Sequence, residues 1–401
     1  MKSTDGAEAP TDARLAGPLS EIRVLDFAHV FAGPFCTRNL ADLGASVLHV
    51  ETRTRGQGED AHRAAYAHRN KRSITLDLKS EQGNAVAARL AAVADVIVEN
   101  FSSGVMRRLK LDYETLSPAN PKLIYLSMSG YGHSGPRRAW TSMNMNLQAY
   151  TGLMMATGAE GDLPTSISNS WNDYIGGLHG AIAILQALAE RHESGRGRNI
   201  DLSQFECSVA TLGPLLMAAA ATGRPPRRLG SRSDHCAPQG VYPCAGRDEW
   251  IAISVQTDEQ WRVLAAVMGQ PGLADDPRFA TVLGRLHNHD QIDAELTHWT
   301  RERSKEDAER ALRQAGVPAE RMRRAEAVAL SPDSGRVYRP VPGHGERTVL
   351  TATVPFAFSR SAISPIVPPS ELGADTRMAL RDWLGMSDAE IDELERQKAL
   401  V

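Results

Sequence analysis

Residues 22–50, IRVLDFAHVFAGPFCTRNLADLGASVLHV, decide the fold. Ile22–Phe27 is a short run rich in strand formers. The loop AHVFAGP follows, then a helical stretch FCTRNLADLGA and a second strand at Ser46–Val50. A strand, a turn, a helix and another strand within thirty residues is the unit from which parallel sheets are built. The pattern continues outward. Ile74–Leu78, Asp95–Val98 and Leu123–Met128 read as further strands, and Ser80 is placed to cap a helix running to about Ala94. The expectation is an α/β protein with a mostly parallel sheet covered on both faces by helices.

Beyond the strands, Leu178, Ile182, Leu185 and Leu188 recur at helical spacing, predicting a long amphipathic helix from about Gly176 to His192 that ends at Gly195 and Gly197. Thr222–Ala237, rich in Gly, Pro, Arg and Ser, reads as a linker. A β-like run at Trp250–Val255, helices to about Ala315 and the helix-breaking GVPAERM come next, and a helix of mixed charge closes the chain. At 401 residues the chain exceeds what one core usually organises, so two domains are expected.

Composition excludes several classes. Hydrophobic residues are 42% and charged residues 23%, and 45 basic against 48 acidic residues leave a net charge of −3. That balance argues against a general nucleic-acid or membrane-surface partner. No apolar run has the length of a membrane span, and residues 1–20 read as a polar tail without the apolar core of a secretory signal. Four cysteines without CxxC spacing fit a reducing, cytoplasmic setting. No metal-ligand spacing, G-x-S-x-G or G-x-G-x-x-G occurs, so a metal site, a serine triad and a dinucleotide fingerprint are unsupported.

Three features carry chemistry. The loop after the first strand, His29-Val30-Phe31-Ala32-Gly33-Pro34, is where an α/β fold binds ligands, although, taken alone, a tight turn with Gly33 supplying the bend explains it better. Two basic groups follow strands: Arg53, Arg55, Arg63, Arg69, Lys71 and Arg72, then Arg107, Arg108 and Lys110. Such runs are usually solvated faces, but together they would suit a multiply phosphorylated small molecule. Asp173, in NSWNDYIGGLHG among Gly176, Gly177 and Gly180, reads as a helix N-cap or as an approachable carboxylate nucleophile.

Taken together, these segments resemble the class III coenzyme A-transferases, the family of formyl-CoA transferase and the carnitine CoA-transferases. The resemblance lies in residues 22–51, in NKRSITLDLKSEQG (70–83) and in ADVIVENFSSGVMRRLKLDYETLSPANPKLIYLSMSGYGHSGP (94–136). It continues in residues 180–206, DPRFAT, AGVPAERM and LGADTRMALRDWLGMSDAEIDEL (372–394). It implies a Rossmann-like large domain from residues 21–225 and 331–401, a small inserted domain at 226–330, and an interlocked homodimer. It implies coenzyme A and acyl-CoA as substrates, with no tightly bound cofactor. Asp173 matches the family nucleophile, and His29, Val30, Ala32, Leu76, Lys79, Asn100, Phe101 and Arg108 match CoA-contacting positions.

The departures concern the acyl end. Phe31 replaces a glutamine that some members carry, Met143-Asn144 stands where an acidic pair is frequent, and GSRSDHCAPQG lacks the glycine-rich loop of formyl-CoA transferase. Two alternatives share the expected fold. An α-methylacyl-CoA racemase needs an acid and a base, and the family's histidine is Met143 here, leaving His133 or His179. A non-catalytic acyl-CoA-binding protein would not need Asp173.

Overall fold

The computed structural model describes residues 17–52, 66–168, 170–332, 337–342 and 348–400. Arg53, Arg55, Arg63 and most of the expected polar tail lie outside them. The protein is mixed α/β. Six strands, β1 (Arg23–Asp26), β2 (Ser46–Glu51), β3 (Arg72–Thr75), β4 (Val96–Glu99), β5 (Ile124–Ser129) and β6 (Arg198–Ser203), form one parallel sheet in the order β3-β2-β1-β4-β5-β6. In this order the chain runs outward from β1 in one direction, then restarts at β4 on its other side. The crevice above the β1/β4 boundary is where such sheets bind ligands.

Alternation along the strands builds two cores. Leu25, Leu48, Ile74, Ile97 and Tyr125 face one layer with helix α2 (Glu81–Val93) and the C-terminal Leu380 and Trp383. Val24, Val47, Val96, Ile124 and Leu126 face the other, with α1 (Ala32–Asp42) and α3 (Trp171–Ser194). The period of two along each strand sorts neighbours to opposite faces.

Two elements differ from the sequence reading. β3 starts at Arg72, not Ile74, because the charged residues before the apolar run are themselves buried in ion pairs. The long helix begins five residues earlier, at Trp171, and its apolar stripe faces outward: Leu178, Ile182 and Leu185 are exposed. Its inner face is Gly176, Gly177, Gly180, Ala181, Ile184 and Ala187. A Cβ at Gly177 would lie 2.7 Å from the Phe35 ring and 2.8 Å from the Ala32 carbonyl oxygen, and one at Gly180 would lie 2.8 Å from Met128. These glycines let the helix close on α1 and the sheet, so they are spent on packing and not on space for a ligand.

The chain divides into two compact units, Met1–Leu153 with Ser166–Ala218 and Pro332–Val401, and Met154–Thr165 with Ala219–Ser331. The smaller has an antiparallel sheet of β7 (Gln239–Pro243), β8 (Trp250–Ser254) and β9 (Ala319–Arg321). Trp261, Ile251, Ile253, Leu264, Leu296 and Leu312 pack its core. Among the described residues no single helix is long and apolar enough to cross a membrane, although Gln204–Thr211 and Gly213–Thr222 reach that length together across a 64° bend.

Candidate active site

The loops after β1 and β4 flank the β1/β4 boundary and are tied to each other. The His29 backbone N–H donates to Asn100 Oδ1 at 2.7 Å, and Asn100 Nδ2 donates to the His29 carbonyl, also at 2.7 Å. One amide thus pairs with the loop as a neighbouring strand would. The Phe101 ring meets the His29 ring edge-on at 5.2 Å. The bend itself is made by Val30, at φ 67° and 63% exposed, and not by Gly33. A β-branched residue in the left-handed region is strained, and such strain concentrates at functional turns. Gly33 serves closeness instead: a Cβ there would lie 2.3 Å from Ala28. Helix α1 then starts at Ala32 without a side-chain cap, leaving first-turn N–H groups at the crevice.

Beneath this loop lies a buried charge network. Asp26 Oδ2 accepts from Thr37 Oγ1 at 2.6 Å and from Lys71 Nζ at 3.0 Å, and His49 Nδ1 stands 3.3 Å away. Lys71 also donates to the Pro34 carbonyl, and the Ala28 N–H to Asp26 Oδ1. Burial alone would raise the Asp26 carboxyl, but Lys71, His49 and Thr37 outweigh it and hold it well below the usual carboxylate range. Next to it, Arg69 is buried on Asp42, and Arg72 pairs with Asp382. Arg69, Lys71 and Arg72 are therefore structural cations, which corrects their reading as part of a phosphate-binding edge. They looked like a solvated or ligand-facing run because the acids that neutralise them lie far away in sequence.

The second basic group behaves otherwise. Arg107 is exposed and lies 3.8 Å from Asp112, while Arg108 and Lys110, like Lys79, are exposed and have no ion pair among the described residues. Asn84 Nδ2 donates to the carbonyls of Leu78 at 3.3 Å and Leu109 at 2.8 Å, bringing the Lys79 and Arg108 turns together. The sequence reading missed Asn84, which looks like any polar helix residue until its two acceptors are seen. Leu76, by contrast, has 0% exposure within the core, so it shapes the crevice from behind and offers a ligand no surface. Ala32 is likewise buried.

Asp173 lies in the first turn of α3, three residues past Ser170, which occupies the cap position at φ 56° without a capping side chain. It is therefore not the N-cap. The capping is done from a distance: Asn144 Oδ1 accepts the Asn172 N–H at 3.2 Å, and Asn172 Nδ2 donates to the Asn144 carbonyl at 2.8 Å. Ser208 Oγ donates to Asn172 Oδ1 at 2.6 Å, and Gln148 Nε2 contacts Asn144 Oδ1 at 3.2 Å. Asn144, a departure from the family's acidic pair, thus anchors the turn that carries Asp173, while Met143 is exposed. On the other side Tyr174 packs edge-on against Phe31 and Phe35 at 5.0 and 4.9 Å, with Tyr66 stacked parallel to both. Phe31, the other departure, joins this block in place of a polar side chain. Burial pushes the Tyr174 hydroxyl up to about 12.

His179 is exposed, its Nδ1 2.8 Å from the Ile175 carbonyl oxygen. Ser231, Arg232 and Gly240 of GSRSDHCAPQG help line a cavity of about 800 Å³ within the small unit, where Arg232 pairs with Asp290 and Asp293. The residues of the β1 and β4 loops, of the buried charge network and of the turn around Asp173 belong to the large unit.

Residues 19–376 match the profile of CoA-transferase family III. The chain is 38% identical over 296 residues to the acetyl-CoA:oxalate CoA-transferase of Acetobacter aceti, covering 71% of this chain and 76% of that one. Over 319 residues it is 36% identical to the succinate–glutarate CoA-transferase of Agrobacterium fabrum, covering 75% and 79%. A crystal structure of a CAIB/BAIF family protein from Brucella suis superposes with a TM-score of 0.84 at 31% identity, over 92% of this chain and 100% of that one. With this match across nearly its whole length, the chain belongs to CoA-transferase family III and is a CoA-transferase.

Proposed function

We propose that the protein moves CoA from an acyl-CoA donor to a free carboxylic acid through covalent chemistry on Asp173. The observation that carries this reading is a carboxylate in the first turn of a 24-residue helix, its turn anchored by Asn144 on one side and Tyr174 on the other. A first-turn acid interacts favourably with the helix dipole, and anchored neighbours hold it in one place.

The Asp173 carboxylate attacks the donor thioester carbonyl, forming a mixed anhydride and releasing CoA thiolate. The thiolate attacks the aspartyl carbonyl, giving an aspartyl-CoA thioester and freeing the donor acid. The acceptor carboxylate attacks that thioester, releasing the thiolate and forming a second anhydride. The thiolate then takes the acceptor acyl group and regenerates Asp173. Each step exchanges activated acyl species of similar energy, so no ATP is consumed. CoA is held at the β1/β4 crevice, with His29, Val30, Asn100 and Phe101 as its wall, Ala32 contributing backbone, and Lys79 and Arg108 on its phosphates. Leu76 supports that wall from the core. The named relatives act on oxalate, succinate and glutarate, which makes dicarboxylic acids the first acceptors to test.

A second copy of the chain completes the assembly as an interlocked homodimer. The exposed stripe Leu178, Ile182 and Leu185, with Leu215, Leu216 and Met217 on a helix that buries none of its residues, supports this. A reducing, cytoplasmic compartment suits four cysteines that are all free and buried.

Trapping tests the mechanism. Enzyme mixed with succinyl-CoA and hydroxylamine should carry a hydroxamate on Asp173 alone. Asp173→Asn should keep its fold and CoA affinity while losing transfer, because an amide lacks the carboxylate nucleophile. An active Asp173→Asn enzyme, checked for deamidation, would overturn it.

A further inference from the structure

The mechanism through Asp173 makes no use of a second buried carboxyl at the edge of the same sheet. β4 ends on Glu99, which is 1% exposed. Its Oε2 accepts the Phe101 backbone N–H at 2.8 Å, and its Oε1 stands 3.6 Å from His133 Nε2 in the turn after β5. That turn is tied to β6, because the His133 N–H donates to Asp201 Oδ1 at 2.7 Å. Residues from β4, the turn after β5 and β6 therefore meet in one titratable cluster. It sits directly behind residues 100 and 101, which grip His29 by the Asn100 amide and the Phe101 ring.

We propose that Glu99 and His133 are positioning residues for the thioester site: together they hold the Phe101 backbone and, through it, the ring that packs on His29. The proposal rests on the reading of His29, Asn100 and Phe101 as the CoA wall. A buried acid on a strand end needs a reason, and here its one backbone partner is the residue whose ring forms that wall. Ionised, Glu99 takes a charge-assisted bond from the Phe101 N–H; protonated, it takes a weaker neutral one. The groups facing it are Tyr125 and Ser127 from β5, His133 from the next turn and Asp201 from β6. On β1, Asp26 stands opposite Val98 and is already paired with Lys71. Burial pushes Glu99 up to about 7, and Asp201 adds to this, while the Phe101 and Ser127 bonds pull the other way. Burial lowers His133, with Asp201 opposing. The bond to Phe101 is therefore strongest above neutrality and weakens as the pH falls through about 7.

Calorimetric titration of the full-length protein with free CoA between pH 6 and 8.5 tests this, comparing wild type with Glu99→Gln, His133→Gln and Arg108→Ala. The ratio of wild-type to Glu99→Gln affinity cancels the titration of CoA's own phosphate. It should be about fivefold at pH 8, the difference between a charge-assisted and a neutral bond, and approach one at pH 6. His133→Gln should weaken binding in the same direction by a smaller factor. A merely structural Glu99 would give a ratio that does not change with pH. A ratio of one throughout, or a ratio without pH dependence, overturns the inference while Arg108→Ala still weakens CoA binding. If Arg108→Ala also binds normally, the placement of CoA itself fails, and this proposal fails with it. Thermal melts of the near-isosteric Glu99→Gln protein separate misfolding from either outcome.

Discussion

At the carboxyl edge of its sheet the large unit buries Asp26 and Glu99 and meets them with Lys71, His49 and His133. The small unit instead sets pairs such as Arg313–Glu320 and Arg262–Glu259 at its surface, and its fully buried cation, Arg285, leans on the Ala237 and Phe279 carbonyls and on Asp258. Surface pairs add little to stability, whereas a buried pair makes each partner indispensable to the other. The difference teaches where the fold accepts the expense of dehydrating charge. It does so under the loops after β1 and β4, where the backbone must be held in a shape that apolar packing alone does not enforce.

The strongest way to break this comparison is Lys71→Met. Removing the cation leaves Asp26 buried without its main partner, and the protein should lose about 3–5 kcal/mol in urea unfolding. A loss below about 1 kcal/mol would show that the network is no more than a surface pair. The pH dependence has a definite sign. Because the Asp26 carboxyl is held below the ordinary range when folded, its contribution is present above about pH 4 and drains away as the pH falls further. In Lys71→Met that acid-side loss should shrink.

Gly177→Ala comes next. Its methyl must displace the Phe35 ring and a backbone carbonyl, so about 3 kcal/mol should be lost in the same assay. Retained stability would mean that α1 and α3 slide apart freely. Asn100→Ala sharpens the contrast, since it deletes two bonds to the His29 backbone without touching the charges. About 2 kcal/mol of stability should go, and CoA binding should weaken in calorimetry. Unchanged CoA affinity would detach the loop after β1 from the proposed site. The smallest effect belongs to Arg313→Ala in the small unit, at most about 1 kcal/mol, because both partners stand in water. A larger loss would erase the distinction between the two units.

The α/β class was legible from residues 22–50, because the switch between two-residue and helical periodicity is local and needs no knowledge of contacts. The five strands read from apolar runs all lie in the sheet, and Ser80 caps α2 by accepting the Gly83 N–H, as its position before an Ala-rich run implies. Family membership was equally legible, since NKRSITLDLK and VIVENF are long enough to be specific. What sequence could not reveal is which charges in those stretches are free. Arg69, Lys71 and Arg72 look identical in kind to Lys79 and Arg108, yet the first three are neutralised by Asp42, Asp26 and Asp382, the nearest of them 27 positions away.

The same limit governs the long helix. Its stripe of Leu178, Ile182 and Leu185 has the right period, but period says which residues share a face and not which face is covered. Only the packed structure shows that the glycine face lies inward, because close approach of two backbones rewards the absence of a side chain. The turn around Asp173 is tertiary for a related reason: Asn144 accepts its Asn172 N–H and Ser208 holds the Asn172 side chain, partners brought together by folding and not by adjacency. Sequence by itself determined the order of elements and the family, both encoded in short windows. The tertiary structure alone decided which charges are buried, which face is covered and what anchors the turn that carries Asp173, because those depend on partners far apart in the chain.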